Sequence, residues 1–182
     1  MLKIAVYAAY PKESAGFLRM LNSKPLKGVY LDSNLNKNPD LIVNIGFVGS
    51  LTSDNWGRLF LVEKFIDSVS REEIVLNNSC LANMAAVKDI KKAPVVTVNS
   101  EVSDKKVAKK IFEDTKCNLV DMEGFSLAKQ AEEENIPLVS IKMVSDYCDG
   151  GALDMIKAKG FELSAKLGAA TYRLLSEIGQ KL

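Results

Sequence analysis

Histidine is absent from all 182 residues. That excludes Ser-His-Asp and Cys-His catalysis and most zinc sites. Acid–base chemistry near neutral pH is left to carboxylates, lysines, tyrosines and thiols. Arginine is scarce, with only Arg19, Arg58, Arg71 and Arg173 in the chain. Three cysteines, Cys80, Cys117 and Cys148, stand far apart and form no CxxC, which points to free thiols in a reducing cytoplasm. No apolar run approaches the roughly 20 residues of a membrane span. The apolar opening KIAVYAAY leads straight into Pro11-Lys12-Glu13, the pattern of a first core strand and not of a signal peptide. The net charge of +1 gives no pull toward nucleic acid or another polyanion. The pairs Lys105-Lys106 and Lys109-Lys110 read as a solvated helix face.

What is present is an ordinary globular balance, 47% hydrophobic and 26% charged. The length suits a single domain over residues 1–182 with a proper core. Strand-like and helix-like segments alternate. Apolar runs predict strands at Ile4–Ala9, Leu26–Leu31, Leu41–Ile45, Arg58–Ile66, Glu73–Leu76, Val95–Val98, Asn118–Val120 and Leu138–Val144. Helices are expected from Pro11, over Ser103–Asp114, over Glu123–Asn135 until Pro137, and at the C-terminus. In the last of these Leu163, Leu167, Ala170, Leu174 and Ile178 share a face, and Gly160 is expected to interrupt its early part. SCLANMAAVKDI reads as a short helix, SNLNKNPD as a polar loop, and GFVGS as a turn closing the strand at 41–45. The alternation predicts an α/β layered domain with a largely parallel or mixed sheet.

In such sheets ligands collect at the carboxyl ends of strands. Four stretches meet that condition: Tyr10–Glu13, Gly46–Ser50, Asp121–Gly124 and Ser145–Asp149. Each has a bland explanation. Glu13 suits the first turn of a helix, where a carboxylate gains from the macrodipole. Asp121 suits an N-cap and Glu123 a first turn. Met122 suits a core, and Ser145, Asp146 and Asp149 suit turns. Gly46 and Gly49 match neither GxGxxG nor a P-loop. They permit a tight turn or a close backbone approach to a ligand.

Four segments, in order, resemble the purine nucleoside phosphorylase and nucleosidase superfamily: KIAVYAAYPKE, IVNIGFVGSL, VDMEGFSLAK and VSIKMVSDYCD. The resemblance is strongest to bacterial nucleosidases acting on methylthioadenosine and S-adenosylhomocysteine. It implies that Glu13 activates the attacking water. It implies that Met122 and Glu123 contact the ribose, and that Asp146, oriented by Ser145, is the general acid near purine N7. Gly49 falls in the glycine segment at the site. TVNSEVS matches a segment near the base, which places Val102 and Ser103 there. These roles suit the chemistry. Cleaving a purine N-glycosidic bond develops positive charge on the sugar and negative charge on the base. Two acids flanking a bond can then divide the work.

The resemblance implies a three-layer α/β/α fold with a central mixed, largely parallel sheet, and a homodimer that takes a small purine nucleoside and needs neither cofactor nor metal. Phosphorylases of the superfamily clamp phosphate with arginines, and Asn44 stands where one of these is expected. No arginine of this chain falls on such a motif, which favours hydrolysis of a 5′-substituted purine nucleoside over phosphorolysis. Departures exist. Between Glu13 and Gly46 a strand pair and a helix are missing. Phe47 and Val48 replace small or polar residues, and Lys142 stands where an arginine is common. TVNS with DMEG is also similar to futalosine hydrolases. A non-catalytic nucleoside-binding protein is the alternative from another class.

Overall fold

The computed structural model describes residues 2–32, 38–52, 55–81, 84–88 and 90–181. Most of the expected loop SNLNKNPD, and residues 82, 83 and 89 of the expected helix SCLANMAAVKDI, lie outside them. Short 3₁₀ turns at Ser79–Leu81 and Ala85–Val87 replace the described part of that helix.

Among the described residues, eight strands and four helices follow the order β1 (Ile4–Tyr7), α1 (Pro11–Ser23), β2 (Val29–Leu31), β3 (Leu41–Ser50), β4 (Leu59–Asp67), β5 (Glu73–Val75), β6 (Lys91–Thr97), α2 (Lys105–Thr115), β7 (Leu119–Asp121), α3 (Gly124–Glu133), β8 (Leu138–Asp146) and α4 (Ala152–Lys181). The sheet is mixed and largely parallel. Parallel pairs are β1–β2, β1–β3, β3–β8, β4–β6 and β6–β7. Antiparallel pairs are β3–β7, β4–β5 and β4–β8. Five strands close on themselves, because β3 changes partner along its length. It lies against β8 from Ile42, shifts register at a bulge between Val48 and Gly49, and pairs with β7 at Gly49 and Ser50.

Side chains alternate across the sheet, as the two-residue strand period requires. Ile4, Val6, Val43, Ile45, Ile141 and Met143 enter one core with Phe17 of α1 and Leu163, Leu167 and Leu174 of α4. Ala5, Ile42, Phe65, Val95, Leu119 and Val144 enter another with Phe125, Leu127 and Ala128 of α3. Both faces are covered, and that is why these strands read as continuous apolar runs. The layered α/β/α arrangement with a mixed sheet is therefore the observed one.

Three local expectations are corrected. First, β3 does not end at Ile45: GFVGS is strand, because β8 runs beside it through Val144. Second, β6 begins at Lys91 and not at Val95. Pro94 has no N–H to donate, and the β4–β6 register slips between Val62 and Phe65, opposite it, so pairing resumes at Val95. Third, α4 is continuous through Gly160. The glycines that matter in this helix pair are Gly16 and Gly168. A Cβ on Gly168 would stand 2.3 Å from the Phe17 nitrogen, and one on Gly16 would stand 2.1 Å from the Ser164 carbonyl oxygen. Ser164 also donates to the Glu13 carbonyl at 3.4 Å and accepts from the Gly16 N–H at 2.8 Å. Helix propensity alone favours Gly168→Ala by about 1 kcal/mol. The backbone contact reverses that sign: the substitution is expected to destabilise the fold by about 1–3 kcal/mol, read from a urea midpoint.

Candidate active site

The glycines of β3 organise the chemistry, and they do so by leaving room. A Cβ on Gly46 would stand 3.1 Å from both Glu13 Oε1 and Lys142 Nζ. A Cβ on Gly49 would stand 2.5 Å from Cys148 Sγ and 3.2 Å from Asp146 Oδ1. The space these residues vacate is filled by the side chains of Glu13 and Lys142 at one glycine and of Cys148 and Asp146 at the other.

Glu13 reaches this strand from the first turn of α1. Its Oε1 accepts the Phe47 N–H at 2.6 Å, and its Oε2 accepts the Tyr10 N–H at 3.0 Å. The helix-start role is real, because the bond from Tyr10 closes the first turn. The tie to Phe47 is what a helix start does not require. Glu13 is buried, and burial pushes its carboxyl above the ordinary glutamate value. Lys142 opposes that rise, as do the two N–H donors. The Phe47 side chain packs on the α1–α4 core, and Val48 packs on the α3 side. Phe47 therefore meets Glu13 through its backbone.

Asp146 ends β8. Ser145 Oγ donates to its Oδ2 at 2.8 Å, and the Cys148 N–H donates to its Oδ1 at 3.0 Å. Ser145 and the Cys148 N–H thus hold one carboxylate oxygen of Asp146 each. Cys148 holds a left-handed backbone with φ of 55°, which brings its N–H back onto the carboxylate. Its own thiol is pushed up to about 12, by burial first and then by the Asp146 charge. A thiol in that state is a poor nucleophile.

Between these acids lies the β7–α3 junction. Asp121 is the hub. Its Oδ1 accepts from Thr97 Oγ1 at 2.7 Å and from the Gly124 N–H at 3.3 Å. Thr97 Oγ1 in turn accepts the Phe125 N–H at 2.9 Å. Thr97 and Asp121 therefore cap α3 together. Glu123 occupies the N-cap position without making a cap bond, and its carboxylate accepts instead from the Met122 backbone. Burial pushes the Glu123 carboxyl up, Asp121 adds to the rise, and Lys142 opposes it. Met122 is 42% exposed, so it forms an open wall and does not fill the core. Gly124 has no room for a side chain, since a Cβ would meet the Phe65 ring at 2.0 Å.

Val102 is buried with Val96, Val98, Val120 and Cys148, which sets its loop beside the Asp146 turn. The Ser103 carbonyl oxygen lies 3.4 Å from a Cβ placed on Gly150. Ser103 itself is exposed.

Reasoning from sequence missed Lys142 and Asp121 as a pair. Lys142 Nζ lies 3.1 Å from Asp121 Oδ2, with side chains only 4% and 1% exposed. The contact is one of charge, without the angle of a directed hydrogen bond. The signal was available: a lysine in the middle of LVSIKMVSD, a strand buried along its whole length, needs a counter-charge.

The arginines are placed elsewhere. Arg19 stacks over Phe161 at 4.6 Å, and Arg71 pairs with Asp114 at 3.5 Å. Arg58 and Arg173 line a cleft of about 600 Å³ together with Lys91, and no candidate residue lines it. A second cleft, of about 470 Å³ between β1, β2 and the end of α4, also contains none. Asn44 is buried and accepts from Ser140 Oγ at 2.8 Å. Among the described residues no group of histidine, cysteine, aspartate and glutamate is arranged to hold a metal. No described helix is long and apolar enough to cross a membrane.

A family model described as the phosphorylase superfamily matches residues 27–176. The fold is similar to that of futalosine hydrolase from Helicobacter pylori, at a TM-score of 0.86 and 15% identity over 97% of this chain and 100% of that one. It is similar to that of 5′-methylthioadenosine/S-adenosylhomocysteine nucleosidase from the same organism, at 0.85 and 16% over 97% and 98%. An MTAN protein of Chlamydia trachomatis matches at 0.75 and 25%, again over 97% and 98%. No curated protein sequence matches the chain.

Proposed function

The chain belongs to the phosphorylase superfamily, and on that premise we propose that it is a purine nucleosidase. It hydrolyses the N-glycosidic bond of a 5′-substituted purine nucleoside of the methylthioadenosine and S-adenosylhomocysteine type. The observation that carries this reading is the placing of two buried acids, Glu13 at Gly46 and Asp146 at Gly49, along one strand.

The roles follow from the environments. Glu13 is held by two N–H donors and carries a carboxyl raised by burial, so it suits a base that takes a proton from water near neutral pH. Asp146 delivers a proton to the departing purine, with Ser145 fixing its orientation. Glu123, free of capping duty, accepts the ribose hydroxyls and lies near the positive charge that develops on the sugar. Met122 forms the apolar wall of the sugar site. Val102 and Ser103 border the base, and Gly49 makes room for Asp146. No cofactor enters this scheme.

Water is favoured over phosphate by the whereabouts of the arginines. Phosphate dianions are held by charge-assisted, often bidentate donors. Arg19 and Arg71 are engaged elsewhere, Arg58 and Arg173 face a separate cleft, and Asn44 is bonded to Ser140. Lys142, the buried cation of the site, is paired with Asp121.

The test is release of free base from methylthioadenosine, S-adenosylhomocysteine, adenosine, inosine and futalosine, each with and without phosphate. Cleavage of a 5′-thio nucleoside without phosphate is expected. Preference for futalosine would move the substrate to that branch. Strict phosphate dependence would replace hydrolysis by phosphorolysis. A ligand-induced rise in Tm with no base released would make the protein a nucleoside binder.

A further inference from the structure

We propose that Lys142 is a positioning residue: anchored on Asp121, its ammonium faces Glu13 across Gly46 and keeps that carboxylate in the form that accepts a proton. This rests on the reading of Glu13 as the base. The geometry comes from three elements. β8 carries Lys142 and β7 carries Asp121, 3.1 Å from it. Glu13 comes from α1, and one methyl group on Gly46 would touch both its Oε1 and Lys142 Nζ at 3.1 Å. The two head groups therefore lie within the roughly 6 Å over which an opposite charge favours the ionised form.

The surrounding charges make this cation necessary. Glu13 feels burial, Lys142 and Asp121, while Glu123 feels burial, Asp121, Lys142 and Glu13. Lys142 is thus the cation set against three acids, and the Phe65 ring of β4 lies 5.9 Å from its Nζ on another side. Without it, two glutamates that must act as acceptors would hold protons to higher pH. Asp121 has no free oxygen for substrate: Thr97 and Gly124 occupy one, and Lys142 faces the other. Its part is to fix where the ammonium sits.

A purely structural strut would change stability and leave the pH profile alone. The discriminating measurement is therefore kcat/KM against pH for wild type, Lys142→Met, Lys142→Arg and the double variant Asp121→Asn/Lys142→Met. The double variant removes both charges, so no buried carboxylate is stranded if the single variant folds poorly. Lys142→Met is expected to move the acid limb upward by about one pH unit or more, which lowers activity about tenfold on that limb and restores it as pH rises. The double variant should move in the same direction by less, because the Asp121 charge that also raises Glu13 is gone. Lys142→Arg should keep the wild-type limb. In parallel, ¹³C NMR titration of the glutamate carboxyls follows Glu13 directly, assigned by its loss in Glu13→Gln. An acid limb and a Glu13 midpoint unchanged in both charge-removing variants overturn the proposal. If wild type releases no base from any nucleoside, the nucleosidase reading falls, and the titration still decides whether Lys142 controls Glu13.

Discussion

Asp146→Asn is expected to lower kcat by about two to four orders of magnitude, the usual contribution of a positioned general acid, with substrate binding little changed. The structure explains why this variant isolates the proton. The carbonyl oxygen of the introduced amide would still accept the Cys148 N–H that now bonds Asp146 at 3.0 Å. The new NH₂ would face Ser145 Oγ, now a donor to Asp146 Oδ2 at 2.8 Å. Ser145 can accept that NH₂ and turn its own hydrogen to the Val48 carbonyl, 3.4 Å away. Every bond is kept in number, and only the transferable proton is lost. Single-turnover kinetics with an equilibrium binding measurement separates the two quantities. Unchanged turnover would remove Asp146 from the acid role.

Asp121→Ala is expected to destabilise the protein by about 3–5 kcal/mol, as losing one partner of a buried pair generally does. That is a large share of the roughly 5–15 kcal/mol that holds a domain folded. The side chains of Asp121 and Lys142 are 1% and 4% exposed, so the ammonium cannot turn to water in place. Thr97 Oγ1 and the Gly124 N–H lose their acceptor in the same step, which loosens the start of α3. Glu13 offers partial relief, since its carboxylate lies across Gly46 and can take up the stranded ammonium. The lower end of the range is therefore expected, and activity should fall with stability because Glu13 is diverted and Glu123 loses its footing. A urea midpoint at unchanged m measures the first effect, and base release at a temperature where the variant is folded measures the second.

The two predictions differ in how far the sequence alone could reach them. Asp146 was legible because SD closes an apolar strand, and ligands gather at strand ends. Glu13 and Glu123 were legible for the same reason, although each also had an explanation as a first-turn acid of a helix. For Glu13 that explanation remains true beside the bond to Phe47. For Glu123 it fails, since α3 begins at Gly124 and Glu123 stands one residue before its first turn. Asp121, read as a plain cap, proved to be the anchor of Lys142. GFVGS was misread as a turn because two glycines in five residues mimic one locally. Only the neighbouring strand β8 shows that the segment stays extended.

By itself, then, the sequence determined the layered α/β class, the order of its elements and the chemical means at hand. Periodicity is a local property, and the lack of histidine leaves acids and lysine to carry the proton traffic. The tertiary structure decided which charges meet. Lys142 and Asp121 lie on strands that are not paired with each other, and nothing in their spacing sets them 3.1 Å apart. The closing of five strands through the partner change of β3 does that. It turns Gly46 and Gly49 from apparent loop residues into two gaps along one strand, one where Glu13 meets Lys142 and one that receives Asp146.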